Sequence, residues 1–284
     1  GITISSGNAT GTVALIGTIA QINNLLTGAG TGTIVYHNAS NTPSASTTLT
    51  VTVNDGGNTG SDPGTTADGS SEEDSASETI NITATNDDPI NAGSLPTDIS
   101  VTEDVASDVD LSLIVLSDID AAANNLTVTL TTATGGDLSA VTGAGVTVAG
   151  SGTGAMTLTG SQADLNTYLN TASNITYLHG ASNQNGDNAD TITVVVNDNG
   201  NTGSGGGTDQ TLGTVNVDIG AVNDTPDVVG PGSAYAVNEQ TNLVIQGTGF
   251  SVADVDAGAG TVTATLSAGE GAITVAAGDS GITI

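Results

Sequence analysis

The sequence predicts an all-β chain of tandem antiparallel β-sandwiches with one short helix in each repeat. Three observations carry this reading. Short runs of alternating apolar and polar residues fill the chain, an internal repeat accounts for nearly all of it, and one capped amphipathic segment recurs in each repeat.

The strand runs come first. TLTVTVND (48–55), TINITATND (79–87), LTVTLTT (126–132), DTITVVVND (190–198) and TVNVDIGAVND (214–224) each alternate with period two. Gly, Asn, Asp or Ser bounds each of them, which is the punctuation of half-buried antiparallel strands. Apolar residues make up 36% of the chain and aromatics 2%, so the expected cores are thin and built from Val, Ile, Leu and Thr.

The helices follow. TIAQINNLL (18–26) and SQADLNTYL (161–169) open with Thr or Ser and carry Gln or Asp three residues on, the pattern of a capping box. Ile19, Ile22, Leu25 and Leu26, like Leu165, Tyr168 and Leu169, share one helical face. Each segment reads as a short helix plugging one end of a sandwich.

Repetition organises these parts. VTVNDGGNTG (51–60) matches VVVNDNGNTG (194–203), and ATNDDP (84–89) matches AVNDTP (221–226). SVTEDVASDVDLSLIVLSDIDA (100–121) matches YAVNEQTNLVIQGTGFSVADVDA (235–257), which pairs Glu103 with Glu239 and Asp118/Asp120 with Asp254/Asp256. Residues 87–223 therefore form one complete repeat, residues 1–86 the C-terminal part of a preceding one, and residues 224–284 the N-terminal part of the next. GITI occupies both 1–4 and 281–284, so the chain is expected to be one unit of a longer array or filament. A sandwich repeat runs from pole to pole, so its broken halves are expected to meet across neighbouring copies. That makes a head-to-tail, non-closing assembly.

Charge narrows the partners. The chain of 284 residues holds 30 Asp and Glu, two His and no Lys or Arg, for a formal charge of −30. No side-chain cation other than histidine can neutralise a carboxylate, and self-repulsion opposes compaction. Clustered hard oxygen ligands favour Ca2+, the expected cofactor. Nucleic acid is excluded as a partner because its affinity comes largely from Lys and Arg. An anionic membrane surface fails for the same reason, and no apolar run is long enough to span a bilayer. Without cysteine there are no disulfides, thiolate metal sites or thiol nucleophiles.

The candidate metal ligands gather at the repeat junctions. One junction offers Asn86, Asp87 and Asp88 ahead of Pro89, then Asp118 and Asp120, with Asp55 ending the strand behind it. The other offers Asn223 and Asp224 ahead of Pro226, then Asp254 and Asp256, with Asp198 behind. Alternate residues of an extended strand share a face, so D-x-D aims two carboxylates at one point. The proline keeps the linker extended. The same Asn-Asp-x-Pro phrases also suit simple turns in which Asp caps its own backbone.

These motifs resemble the cadherin-like and VCBS-type tandem repeats of giant secreted calcium-binding adhesins. NDDP and NDTP are similar to that family's ND-x-P linker, and SDIDA and ADVDA to its D-x-D motif. Glu103 and Glu239 match its acidic residue near the start of each repeat. The resemblance implies Ig-like sandwiches, Ca2+ at the interdomain linkers, export to the cell surface, and a structural or adhesive role.

Other acidic and histidine positions carry blander readings. Asp62, Asp68, Glu72, Glu73 and Asp74 lie in SDPGTTADGSSEED, read as a solvated charge run with an accessory Ca2+ site as the alternative. His37 and His179 each follow a Tyr-bearing run and suit core or turn roles. The expected function is a Ca2+-stiffened repeat unit of an extracellular filament, matrix or long adhesin, with no enzymatic activity. The alternative is a Ca2+-dependent module binding glycans or cell-surface receptors.

Overall fold

A computed structural model describes residues 1–55, 73–278 and 280–283. Asp62, Asp68 and Glu72 of the acidic run fall outside these residues. The chain is mostly β, with strands supplying 37% and helices 7%. No helix among the described residues is long and apolar enough to cross a membrane. The chain divides into two compact units: residues 1–88 with 118–122 and 198–208, and residues 89–117 with 123–197 and 209–284.

The first unit contains β1 (Thr3–Ser6), β2 (Ala14–Ile16), α1 (Ile19–Leu26), β3 (Ser46–Asn54) and β4 (Glu73–Asn81). β1 pairs with β2, and β3 with β4, both antiparallel. α1 begins where the pattern placed it. Thr18 accepts from the Gln21 amide and Gln21 Oε1 accepts from the Thr18 amide, closing a reciprocal capping box.

The second unit contains β5 (Ile90–Asn91), β6 (Asp98–Thr102), β7 (Ser107–Asp108), β8 (Leu116–Ser117) and β9 (Asn125–Thr132). It continues through β10 (Gly136–Ala140), β11 (Thr147–Ala149), β12 (Ala155–Ser161), α2 (Gln162–Leu169) and β13 (Ile175–His179). β14 (Gly186–Asn197), β15 (Gln210–Gly220), β16 (Asp227–Val229) and β17 (Ser251–Ala253) complete it. A six-stranded sheet runs β11-β12-β9-β14-β15-β6, and a three-stranded sheet runs β10-β13-β7. Every pairing is antiparallel except β15 with β6.

The alternation seen in the sequence becomes burial here. Leu126, Val128 and Leu130 of β9, Ile192, Val194 and Val196 of β14, and Val215 and Val217 of β15 are all fully buried. Leu138 and Tyr177 of the smaller sheet join them. α2 adds Leu165, Tyr168 and Leu169, and the Asn166 side chain bonds both the amide and the carbonyl of Leu116 at 2.8 and 3.0 Å. Fully burying such a side chain contributes roughly 1.5–3 kcal/mol. α2 departs from a full capping box: Asp164, shorter than Gln, takes the Ser161 hydroxyl at 2.7 Å instead of reaching the cap amide.

The flanking parts differ. Among the described residues, Pro89 and Pro96 are buried, and every other buried apolar side chain lies between Ile99 and Ile219. Leu49, Val51 and Val53 of β3, counterparts of Ile192, Val194 and Val196, are 48%, 37% and 50% exposed. The same residue pattern is present, but among the described residues it is left largely open to solvent.

Candidate metal centres

In the first unit, the linker residues 84–88 meet the D-x-D segment and the loop after β14. The Asp87 amide donates to Asp120 Oδ2 at 3.0 Å. The amides of Asp120 and Ala121 donate to Asp118 Oδ1 at 3.1 and 2.9 Å. The Asn86 side-chain amide donates to the Asp87 carbonyl at 3.1 Å and also to the Asp198 carboxylate. Thr85 and Ser204 form a parallel bridge that holds the linker extended, and the Thr202 hydroxyl donates to the Asp120 carbonyl.

Two glycines let that loop approach. Gly206 has φ +81° and a Cβ there would sit 2.2 Å from the Asn86 side-chain nitrogen; Gly203, at φ +132°, would meet the Asn86 backbone at 2.4 Å. Both positions also favour glycine by backbone conformation.

The electrostatics follow from this packing. Asp198 is fully buried; burial pushes its pKa up, but the amides of Gly200 and Gly207 and the Asn86 side chain outweigh that and hold it low. Asp118 moves the other way, raised by burial and by its neighbour Asp120. Asp120 is 9% exposed, and its Oδ1 is buried with no hydrogen-bond partner. The Asn86 side-chain oxygen is likewise buried without one. Bare inward oxygens beside acidic groups suit a cation, because an uncompensated buried oxygen is otherwise costly.

In the second unit the same frame is built again. The Asp224 amide donates to Asp256 Oδ2 at 2.5 Å. The amides of Asp256 and Ala257 donate to Asp254 Oδ1, each at 2.9 Å. The Asn223 side chain donates to the Asp224 carbonyl at 2.9 Å. Glu103 joins this group, accepting from the Val222 amide at 2.7 Å and from the Asn185 side chain at 2.9 Å. The Asn183 side chain donates to the Asp224 carboxylate. Carboxylate oxygens of Glu103, Asp224 and Asp256 lie within 4.8 Å of one another, an arrangement that can hold a metal ion. Burial, then the charges of Asp104, Asp256, Glu103 and Asp254, raise the pKa of Asp224.

Asp198 is where sequence and structure part. The linear alignment puts it behind Asn223, but the fold puts it against Asn86. Glu103 instead stands beside Val222. The reason is strand direction. β14 ends next to the start of β15, with Val196 opposite Gln210, whereas the parallel β6 ends next to the end of β15, with Thr102 opposite Gly220. The residues that follow Asn197 and Thr102 therefore leave the sheet at opposite ends.

The remaining candidates are peripheral in this chain. Asp88 is exposed and accepts from the Thr208 hydroxyl at 3.2 Å. Asp55, the residue just after β3, and Glu239, in a turn, are exposed. His37 is exposed, while the His179 ring bonds the backbone of Ala181 and Thr134, a turn role.

Sequence reasoning passed over Asn183 and Asn185; the signal was the ASN triplet at 181–183, which recurs at 39–41. It also passed over Asp190, which is 1% exposed and collects five donors: the amides of Ala133, Thr134, Gly136 and Thr191 and the Tyr177 hydroxyl. Burial pushes the Asp190 pKa up and these bonds more than reverse it. Burial and Asp190 push the Tyr177 phenol upward. This carboxylate ties the two sheets together and has no open coordination side.

No protein-family model matches the chain, and no curated protein matches it.

Proposed function

We propose that the chain is a structural repeat unit of an extracellular filament, matrix or long surface adhesin, stiffened by Ca2+ at its seams. The observation that carries this reading is the duplicate frame. Asn86, Asp87, Asp118 and Asp120 repeat, bond for bond, as Asn223, Asp224, Asp254 and Asp256. A simple turn motif accounts for one such linker; it does not account for bare buried oxygens at Asn86 and Asp120. With no Lys or Arg in the chain, a solution cation is the available counter-charge.

Oxygen-only ligands of mixed carboxylate and amide type fit Ca2+, which accepts six to eight such donors in irregular geometry. Asn86, Asp118, Asp120 and Asp198 would hold it at one seam, and Glu103, Asp224, Asp254 and Asp256 at the other. The ion would supply positive charge between like-charged groups and so lock each linker to the sheet beside it. The β-rich architecture supports the finer reading of tandem Ig-like sandwiches, and the acidic surface suits an exported, calcium-rich setting.

Calorimetric titration with Ca2+ tests this reading, with small-angle scattering before and after EDTA. Saturable binding and a particle that loses stiffness on chelation are expected. Absence of binding at millimolar Ca2+ removes the proposal.

A further inference from the structure

The loop after β14 leaves and returns at one point. The amides of Gly200 and Gly207 both donate to Asp198 Oδ1, at 3.0 and 2.9 Å. A surface loop pinched at its ends is a compact unit of its own, able to pivot about that neck. Asp198 is fully buried, so the neck is fixed, whereas residues 202–207 are exposed.

The tip of this loop grips both residues that carry bare inward oxygens. The Thr202 hydroxyl donates to the Asp120 carbonyl. Ser204 bonds the linker on either side of Thr85: its amide donates to the Ala84 carbonyl at 2.9 Å, and its carbonyl accepts from the Asn86 amide at 3.2 Å. Beneath these contacts Asn86 Oδ1 and Asp120 Oδ1 are sealed from solvent, so a cation reaches them only when something lifts. Asp118, Asp120 and Asp198 are buried at 9% exposure or less, and the Asp87 amide ties the linker to Asp120. The loop is the exposed cover. Five of the nine residues from Asn199 to Gly207 are glycine, so chain entropy favours its opening. Thr202 adds to that tendency, because it sits at φ +50°, where a β-branched residue is strained. Its hydroxyl bond offsets strain that opening would release.

We infer that residues 199–207 are a hinged strap that gates the first cation site, with Thr202 as its latch. That role rests on the calcium reading above and sets how the ion enters and leaves. With the strap down, Asn86 and Asp120 are held in place and shielded from water. With the tip raised, the bonds from Thr202 and Ser204 are gone and both oxygens meet solvent. Exchange at this seam is therefore limited by the opening of the strap, not by diffusion of the ion.

Thr85 and Ser204 form a parallel bridge and are both exposed, so cysteines there lie within disulfide reach on the solvent side. The chain has no cysteine of its own. The full chain carrying Thr85→Cys and Ser204→Cys is oxidised in Ca2+ and, separately, in EDTA. Stopped-flow mixing with a fluorescent chelator then reads calcium release. A staple closed over Ca2+ is expected to keep the first-seam ion through the chelator pulse, with second-seam release unchanged. A staple closed in EDTA is expected to refuse that ion, and reduction restores both entry and exit.

Thr202→Val is a second readout that needs no disulfide. The latch bond lies outside the inward oxygens and closes the strap with or without the ion. Entry and exit should both accelerate about two- to tenfold, with the affinity moved less than either rate. Thr202→Ser, which keeps the hydroxyl, should restore the parent rates. Equally fast release from oxidised and reduced chains overturns the inference and leaves the calcium reading standing. So does a Thr202→Val chain whose affinity falls while its entry rate holds, the behaviour of a merely structural residue. A reduced chain that binds no calcium removes the calcium reading, and the gate with it.

Discussion

The Asp87 amide donates to the Asp120 carboxylate at 3.0 Å, across 33 residues of chain. The Asp224 amide makes the same bond to Asp256 at 2.5 Å. A linker amide thereby spends its hydrogen bond on one oxygen of the D-x-D motif and leaves the other oxygen available. In Asp120 that second oxygen is buried without a partner.

Asp120→Asn separates charge from shape. The asparagine oxygen still accepts from Asp87, so the frame persists, while one of two adjacent negative charges disappears. In EDTA the variant is expected to melt at or above the parent temperature. In Ca2+ it is expected to lose most of the calcium-dependent rise. Scanning calorimetry in the two buffers checks this.

Calcium removal should destabilise by mass action. A site held at a hundred times its dissociation constant adds about 2.7 kcal/mol to the native state. Chelation should therefore lower the melting temperature by several degrees, and Mg2+ should restore little of it, since Mg2+ demands a tighter octahedral shell. Melting curves across a Ca2+ series provide the measurement.

Gly206→Ala should disturb the first seam alone. Its Cβ would fall 2.2 Å from the Asn86 side chain, at a φ of +81° that disfavours any side chain. A loss of about 1–3 kcal/mol is expected from the strained backbone, with weaker calcium binding at that seam. Chemical denaturation and titration calorimetry on the one variant report both.

Asp190 should govern part of the acid sensitivity. Its folded pKa lies below the ordinary 3.8, because its hydrogen bonds outweigh the effect of burial. Its stabilisation is thus complete above that ordinary value and is lost as pH falls through the lower folded one. Asp190→Asn should be less stable at neutral pH, by about 1.5–3 kcal/mol for a lost charged hydrogen bond, and should show a shallower fall in stability below pH 3.8. Urea unfolding of both proteins from neutral to acid pH measures the difference.

Leu165→Ala and Ile22→Ala should diverge although the residues are counterparts. Leu165 is fully buried under α2, and truncation should cost about 2–5 kcal/mol. Ile22 is only half-buried in α1, so its truncation should be nearly silent in dilute chain and costly in assembled material. Denaturation at two protein concentrations distinguishes the two.

The sequence by itself determined the parts. Period-two runs marked β9, β14 and β15, Thr18 and Ser161 marked the starts of both helices, and the repeated Asn-Asp-x-Pro and D-x-D phrases marked both frames. These signals are local, because alternation, capping and linker chemistry act over a few residues. Only the tertiary structure decided which outer acid serves which frame. Asp198 and Glu103 are assigned by the antiparallel and parallel pairings of β14 and β6 with β15, which set the end of the sheet where each strand stops. Tertiary structure likewise buried Ile192 and left Leu49 exposed in nearly the same local sequence. Burial depends on what covers a strand, and a covering partner leaves no mark in the strand's own residues.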